Sequence, residues 1–125
     1  MVLLIDDDDS FRNALAENLR DDGLTVVECA AAADVPPLET LDGVRVVITD
    51  YDMPETNGLA FADVFHAAHP QVPVLLVTAV PIHRLHAHAA MRGFVRLLRK
   101  PLDYGELRNV LKQIPPSLPN QFEPY

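Results

Sequence analysis

Tryptophan is absent from this 125-residue chain and cysteine occurs once, as Cys29, so no intrachain disulfide can form and a reducing cytosol is the natural compartment. Basic residues are scarce. Ten Lys+Arg stand against eighteen Asp+Glu, a formal charge of −8 that repels nucleic acid unless cations are segregated on one face. Arg92, Arg96, Arg99 and Lys100 form such a cluster, but only a local one, and direct nucleic-acid binding is not expected. No apolar run approaches the ~20 residues that a membrane span needs, which argues against a membrane protein. Met1 to Ile5 runs straight into Asp6 to Asp9 with no basic n-region or cleavage site, and a cytoplasmic location follows as the expectation. Low-complexity blocks are missing too. With 49% apolar and 22% charged residues, the chain reads as one soluble globular domain with a real core.

Five short apolar runs rich in β-branched residues recur along the chain, at Val2 to Ile5, Thr25 to Cys29, Arg45 to Thr49, Val74 to Thr78 and Val95 to Arg99. Most are continuous rather than alternating, as strands buried on both faces should be. Helical periodicity fills the gaps. Phe11, Ala14, Leu15 and Asn18/Leu19 mark a first helix, with Ser10 as N-cap and Gly23 as its stop. Pro36-Pro37 permits only a short second helix reaching about Leu41. Phe61, Val64, Phe65 and Ala68 mark a third, and Pro81 to Met91, with a stripe mostly of alanine, a fourth. Leu107, Val110, Leu111 and Ile114 mark a fifth. Five βα units with right-handed crossovers predict an α/β fold: a doubly wound, five-stranded parallel sheet of order 2-1-3-4-5 with five flanking helices. Residues 1–114 form the expected domain. The segment from Ile114 to Tyr125 carries four prolines in twelve residues, so 115–125 reads as a proline-rich tail or the start of a linker.

In such a sheet, ligands bind beyond the carboxyl ends of the strands at the switch point. Asp6 and Asp7 follow the first strand, Asp50 the third, Thr78 ends the fourth, and Lys100-Pro101 follows the fifth. Each has a plain reading taken singly: a solvated turn, an N-cap, a strand threonine, a surface lysine. Their convergence on one edge is what points to chemistry. Three carboxylates together repel unless a cation sits among them, and an all-oxygen set favours a hard cation, most simply Mg²⁺. Lys100 then needs an anionic partner, which a phosphoryl group on an aspartate would supply, with Thr78 donating to a phosphoryl oxygen. The chemistry indicated is formation and hydrolysis of an acyl phosphate.

The motifs V-L-L-I-D-D-D at 2 to 8, V-V-I-T-D-Y-D-M-P-E-T-N-G at 46 to 58, L-L-V-T-A at 75 to 79 and K-P at 100 to 101 resemble the receiver domain of two-component response regulators. The joint spacing is specific: D-x-x-M-P, glycine eight after the aspartate, threonine 28 after it, and lysine 22 after the threonine. The resemblance implies a flavodoxin-like fold and a phosphorylation-controlled switch that takes its phosphoryl group from a sensor histidine kinase or a histidine phosphotransfer protein. It makes Asp50 the phosphoacceptor, Asp7 a direct Mg²⁺ ligand, Asp6 a ligand through water and the backbone carbonyl of Asp52 a further ligand. Thr78 and Lys100 would sense and neutralise the phosphoryl group, and the Lys100-Pro101 bond would be cis. The fourth helix, fifth strand and fifth helix would form the output surface, through which a homodimer could also assemble.

Leu97 departs from the family, which usually has Tyr or Phe three residues before the lysine, and Asp52 adds a carboxylate near the acceptor. Leu97 motivates a rival reading, a pseudo-receiver that binds partners without phosphate control. A second rival starts from Asp50-Tyr51-Asp52, which matches the D-x-D of haloacid-dehalogenase-type phosphatases. Those carry their acidic pair late, however, whereas here Asp6-Asp7 come first and Pro54 stands where Thr or Val would. Turnover of a metabolite is therefore not expected. His83, His86 and His88, with His66 and His69, invite a metal reading, but only His83 and His86 could share a helix face, so the fourth helix reads as solvated. Cys29 reads as a small buried or half-buried hydrophobe, and Gly58 and Gly93 as turn or helix-end glycines.

Overall fold

The computed structural model describes residues 1–114. Its chain order is β1 (Val2–Ile5), α1 (Asp9–Asp21), β2 (Val26–Cys29), β3 (Val46–Thr49), β4 (Asp52–Met53), β5 (Thr56–Asn57), α2 (Gly58–Ala68), β6 (Val74–Thr78), α3 (Ile82–Ala90), β7 (Val95–Arg99) and α4 (Tyr104–Lys112). Five strands pair in parallel in the order β2-β1-β3-β6-β7, which is the 2-1-3-4-5 order expected once the short β4–β5 hairpin is set aside.

Burial on both faces explains the continuous apolar runs. Val2 and Leu4 of β1 point into a core with Leu15, Leu19, Ile48, Leu75, Leu107 and Leu111, so α1 and α4 cover that face. Leu3 and Ile5 point into the opposite core with Val47, Leu59, Phe65, Leu76 and Leu85, which α2 and α3 cover. Central strands β1, β3 and β6 are buried throughout.

Several local expectations are corrected. Asp8, not Ser10, caps α1: its backbone is extended and its Oδ1 accepts from the Phe11 N–H at 3.1 Å, placing Ser10 inside the first turn. The buried face of α1 is Leu15, Ala16 and Leu19, while Ala14 and Asn18 are exposed. In α2 the core-facing residues are Leu59, Phe61, Ala62 and Phe65, and Val64 and Ala68 lie outside. The second helix does not form. Two 3₁₀ turns, Ala32–Asp34 and Leu38–Thr40, flank Pro36-Pro37, whose rings and missing N–H groups break any longer helical ladder. Among the described residues four α-helices therefore flank the sheet instead of five. β2 and β3 each begin one residue later than expected, and the antiparallel β4–β5 hairpin was not foreseen. Gly23, at φ +89°, ends α1 in the left-handed conformation as expected. The proline-rich residues 115–125 lie outside the described residues.

The histidines serve packing or face solvent. His66 stacks on Phe94, and His69 stacks on Phe65 with its Nε2 2.7 Å from the Leu38 carbonyl oxygen. His83, His86 and His88 are exposed on α3. Cys29 is buried, and that burial raises its thiol pKa.

Candidate functional site

Parallel registry levels the strand ends. Ile5 pairs with Thr49 and Thr78 with Arg99, so the next residue along β1, β3 and β7 emerges on one edge. Backbone bonds extend the ladder just past the strands: Asp50 N–H donates to the Ile5 carbonyl at 3.1 Å, Asp6 N–H to Cys29 at 3.1 Å and Lys100 N–H to Thr78 at 2.9 Å. The sheet therefore positions Asp6, Asp50 and Lys100 through their own main chains.

At this edge the Lys100 ammonium donates to Asp6 Oδ2 at 2.9 Å and to Asp50 Oδ2 at 3.1 Å. Their side chains are 18%, 2% and 12% exposed, respectively, so the pairs are far less screened than surface pairs. The other oxygens are also engaged. Asp6 Oδ1 accepts from the Asp8 N–H at 2.9 Å, and Asp50 Oδ1 accepts from Tyr51 N–H at 2.6 Å and Asp52 N–H at 3.4 Å. Burial lifts the Asp6 pKa above the usual carboxylate value, opposed by the Lys100 and Asp8 hydrogen bonds. For Lys100 burial works the other way, but hydrogen bonds to Asp6 and Asp50 prevail and its pKa rises.

Asp7 is exposed, yet one oxygen each from Asp6, Asp7 and Asp50 can lie within 4.8 Å of one another. This all-oxygen set fits a hard divalent cation such as Mg²⁺. Asp52 lies in β4, adjoining the cluster, with its side chain turned to solvent. Thr78 is buried, and its Oγ accepts from the Val80 N–H at 3.1 Å, which leaves the hydroxyl proton available to a ligand. The Lys100-Pro101 bond is cis.

Three further residues build the site and were not read as such from the sequence. The Phe11 ring centroid lies 4.3 Å from the Lys100 ammonium, a cation–π contact from α1. Arg12 donates to the Asp6 carbonyl at 2.8 Å, to Asp9 at 2.8 Å and to Glu28 at 3.3 Å, tying down the loop that carries Asp6 and Asp7. Gly58, whose N–H donates to Tyr51 at 2.7 Å, packs so closely that a Cβ would strike the Asp50 carbonyl oxygen. Its spacing from Asp50 was the available signal, but a turn glycine has the same appearance in sequence. Leu97, on β7, is half-buried and packs against the core.

A doubly wound parallel sheet presenting clustered carboxylates and one ammonium at its switch point defines an α/β domain whose site lies where such open sheets bind their ligands. The chain belongs to the response regulator receiver domain family, whose model matches residues 2–112. It is 31% identical over 121 residues to the response regulator protein FleR of Pseudomonas aeruginosa, covering 93% of this chain and 26% of that protein. It is likewise 31% identical over 106 residues to the DNA-binding transcriptional regulator NtrC of Escherichia coli, covering 85% of this chain and 23% of that protein. The chain thus spans about a quarter of the length of these relatives. Among solved structures, a response regulator receiver domain protein from Clostridium thermocellum superposes with a TM-score of 0.80 at 24% identity, over 90% of both chains. The receiver domain of NtrX from Brucella abortus superposes at 0.79 and 23% identity, over 90% of this chain and 96% of that one. Receiver domains are the phosphorylation-controlled signalling domains of two-component systems. Among the described residues no helix is long and apolar enough to cross a membrane.

Proposed function

We propose that Asp50 accepts a phosphoryl group from a phosphohistidine on a sensor kinase or phosphotransfer protein, and that residues 1–114 form the receiver unit. The observation that carries this reading is the pairing of one half-buried ammonium with both Asp6 and Asp50, which puts a counter-charge where phosphoryl charge would arrive.

An Asp50 oxygen attacks phosphorus in line, forming the new O–P bond as the P–N bond to imidazole breaks, and the leaving nitrogen picks up a proton. Lys100 exchanges its bond to Asp50 for one to a phosphoryl oxygen, and Thr78 turns its free hydroxyl proton to another. Asp6, Asp7, Asp50 and the Asp52 carbonyl would hold Mg²⁺, which when bound neutralises phosphoryl charge. Hydrolysis later returns Asp50 to a carboxylate, so the domain modifies itself and turns over no metabolite. Phosphorylation then shifts the surface formed by α3, β7 and α4, which is also the face for self-association. Half-buried Leu97 on β7 means that this shift proceeds without an aromatic side chain at that position.

Acetyl phosphate with Mg²⁺, followed by intact mass, tests the reading. Wild type should gain one phosphoryl group and Asp50→Asn none. A gain in Asp50→Asn would move the acceptor elsewhere. No gain in either would favour an interaction module not controlled by phosphate.

A further inference from the structure

Between β2 and β3 the chain crosses over without an α-helix, and the two 3₁₀ turns and Pro36-Pro37 leave that side of the sheet thinly covered. A groove of about 590 Å³ runs between this connection and α2, lined by Ala31, Val35 and Leu38 on one side and Ala60, Phe61 and Val64 on the other. Val64 is 60% exposed although it continues the apolar pattern of α2, so the helix carries a second apolar stripe that the fold itself does not bury.

Charge and backbone chemistry narrow the occupant. Glu55 lines the groove, and the exposed Asp34 and Glu39 adjoin the lining residues Val35 and Leu38. From Ala30 to Ala62 the one basic residue is Arg45, which is engaged with the Leu111 and Ile114 carbonyls of the α4 end. Arg92, which reaches α2 from just beyond α3, is taken up by both oxygens of Asp63. The surface is therefore an apolar trough with an acidic margin. None of Val26–Cys29 lines it and Thr56 is the one residue of the short β4–β5 hairpin strands that does, so no length of strand edge is offered, and an occupant must satisfy its own backbone groups. A helix does so, and its i, i+3, i+4, i+7 side chains fit a trough of this kind.

We propose that this groove docks a basic amphipathic helix of a partner protein, with leucine-like residues on one stripe and Lys or Arg along its flanks. The chain's own residues 115–125 are a poor match, since they carry Glu123 and no Lys or Arg. The docking does not depend on phosphorylation of Asp50, so the test runs without phosphodonor or Mg²⁺.

The probe is a synthetic helical peptide with leucines at i, i+3, i+4 and i+7 and lysines elsewhere. A scrambled peptide of the same composition and one with glutamate for lysine accompany it. Titration into isotope-labelled full chain should shift the amides of Ala31, Val35, Leu38, Ala60 and Val64 saturably, with both controls at least about tenfold weaker. Val64→Arg and Glu55→Lys, both at exposed positions, should each weaken binding by about tenfold or more while the circular dichroism stays native. Equal binding of the scrambled peptide, shifts centred on Asp6, Asp7 and Asp50, or no saturable shift would overturn the proposal. So would concentration-dependent shifts of the groove amides without peptide, which would make the occupant a second copy. Contacts from residues 115–125 to Val64 in the free chain would do the same in favour of the chain's own segment.

Discussion

Gly58→Ala is the sharpest test of how the fold holds Asp50. A Cβ built on Gly58 meets the Asp50 carbonyl oxygen at less than contact distance, Leu76 Cδ1 at 2.5 Å and the Asp50 carbonyl carbon at 3.1 Å. The leucine methyl can rotate away, but the carbonyl belongs to the backbone between β3 and β4 and moves only if Asp50 moves. Overpacking of this kind costs about 1–3 kcal/mol, and a backbone clash belongs at the upper end. Against this, alanine gains about 0.4–1 kcal/mol from a less flexible unfolded chain and better helix propensity. The net is a loss of about 2 kcal/mol, or roughly 8 °C in Tm for a domain of this size. Urea melts with an unchanged m value would measure it, and the rate of phosphoryl uptake should fall alongside because the acceptor is displaced. Gly93→Ala is the control: nothing lies within 4 Å of its Cβ, so it should be neutral or slightly stabilising. If Gly58→Ala proved as harmless as Gly93→Ala, the close approach of α2 to the Asp50 backbone would be refuted.

Removing Lys100 leaves Asp6 and Asp50 without their ammonium, so Lys100→Ala should lose about 3 kcal/mol or more. The Asp6 pKa, already raised, would rise further; a raised carboxyl pKa adds stability at acid pH that is lost as pH climbs through the folded value. Denaturant melts of this variant should therefore show a larger deficit at pH 8 than at pH 4. Tyr104 donates to Asp22 at 2.7 Å, and its burial, with Asp22 beside it, pushes its pKa from 10.0 up to about 12. Its stabilising contribution is present below pH 10 and disappears between pH 10 and about 12, so Tyr104→Phe should be less stable at pH 8 and have a flatter stability curve across that window. Mg²⁺ at ten times its Kd should add about 1.4 kcal/mol, or roughly 4–6 °C, to wild type. Asp7→Ala, with one carboxylate removed from the cluster, should be more stable than wild type without Mg²⁺ and indifferent to it. Equal shifts in thermal melts at matched ionic strength would show that Asp7 is no ligand.

The sheet was legible in sequence because its signal is local: a strand buried on both faces has no choice but a continuous run such as Val-Leu-Leu-Ile, and five such runs alternating with helices leave few topologies. The strand ends were legible for the same reason, which is why the sequence alone places Asp6, Asp50, Thr78 and Lys100 at one edge. Helix faces were less so. In α2, Phe61, Val64, Phe65 and Ala68 satisfy the helical period as well as Leu59, Ala62 and Phe65 do, and only packing against β3 and β6 decides which stripe is buried. The connection after β2 depended on whether two prolines would permit a turn of helix, and the tertiary fold resolved it as 3₁₀ turns beside an open groove. Contacts between separate elements were the least legible. Phe11 over Lys100 is brought about by the crossovers, whereas Arg12 on the Asp6 carbonyl and Gly58 against Asp50 join residues close in sequence whose approach depends on how a helix meets the strand before it. Periodicity reports how a residue relates to its own element, whereas these contacts depend on how separate elements meet, which tertiary packing alone determines.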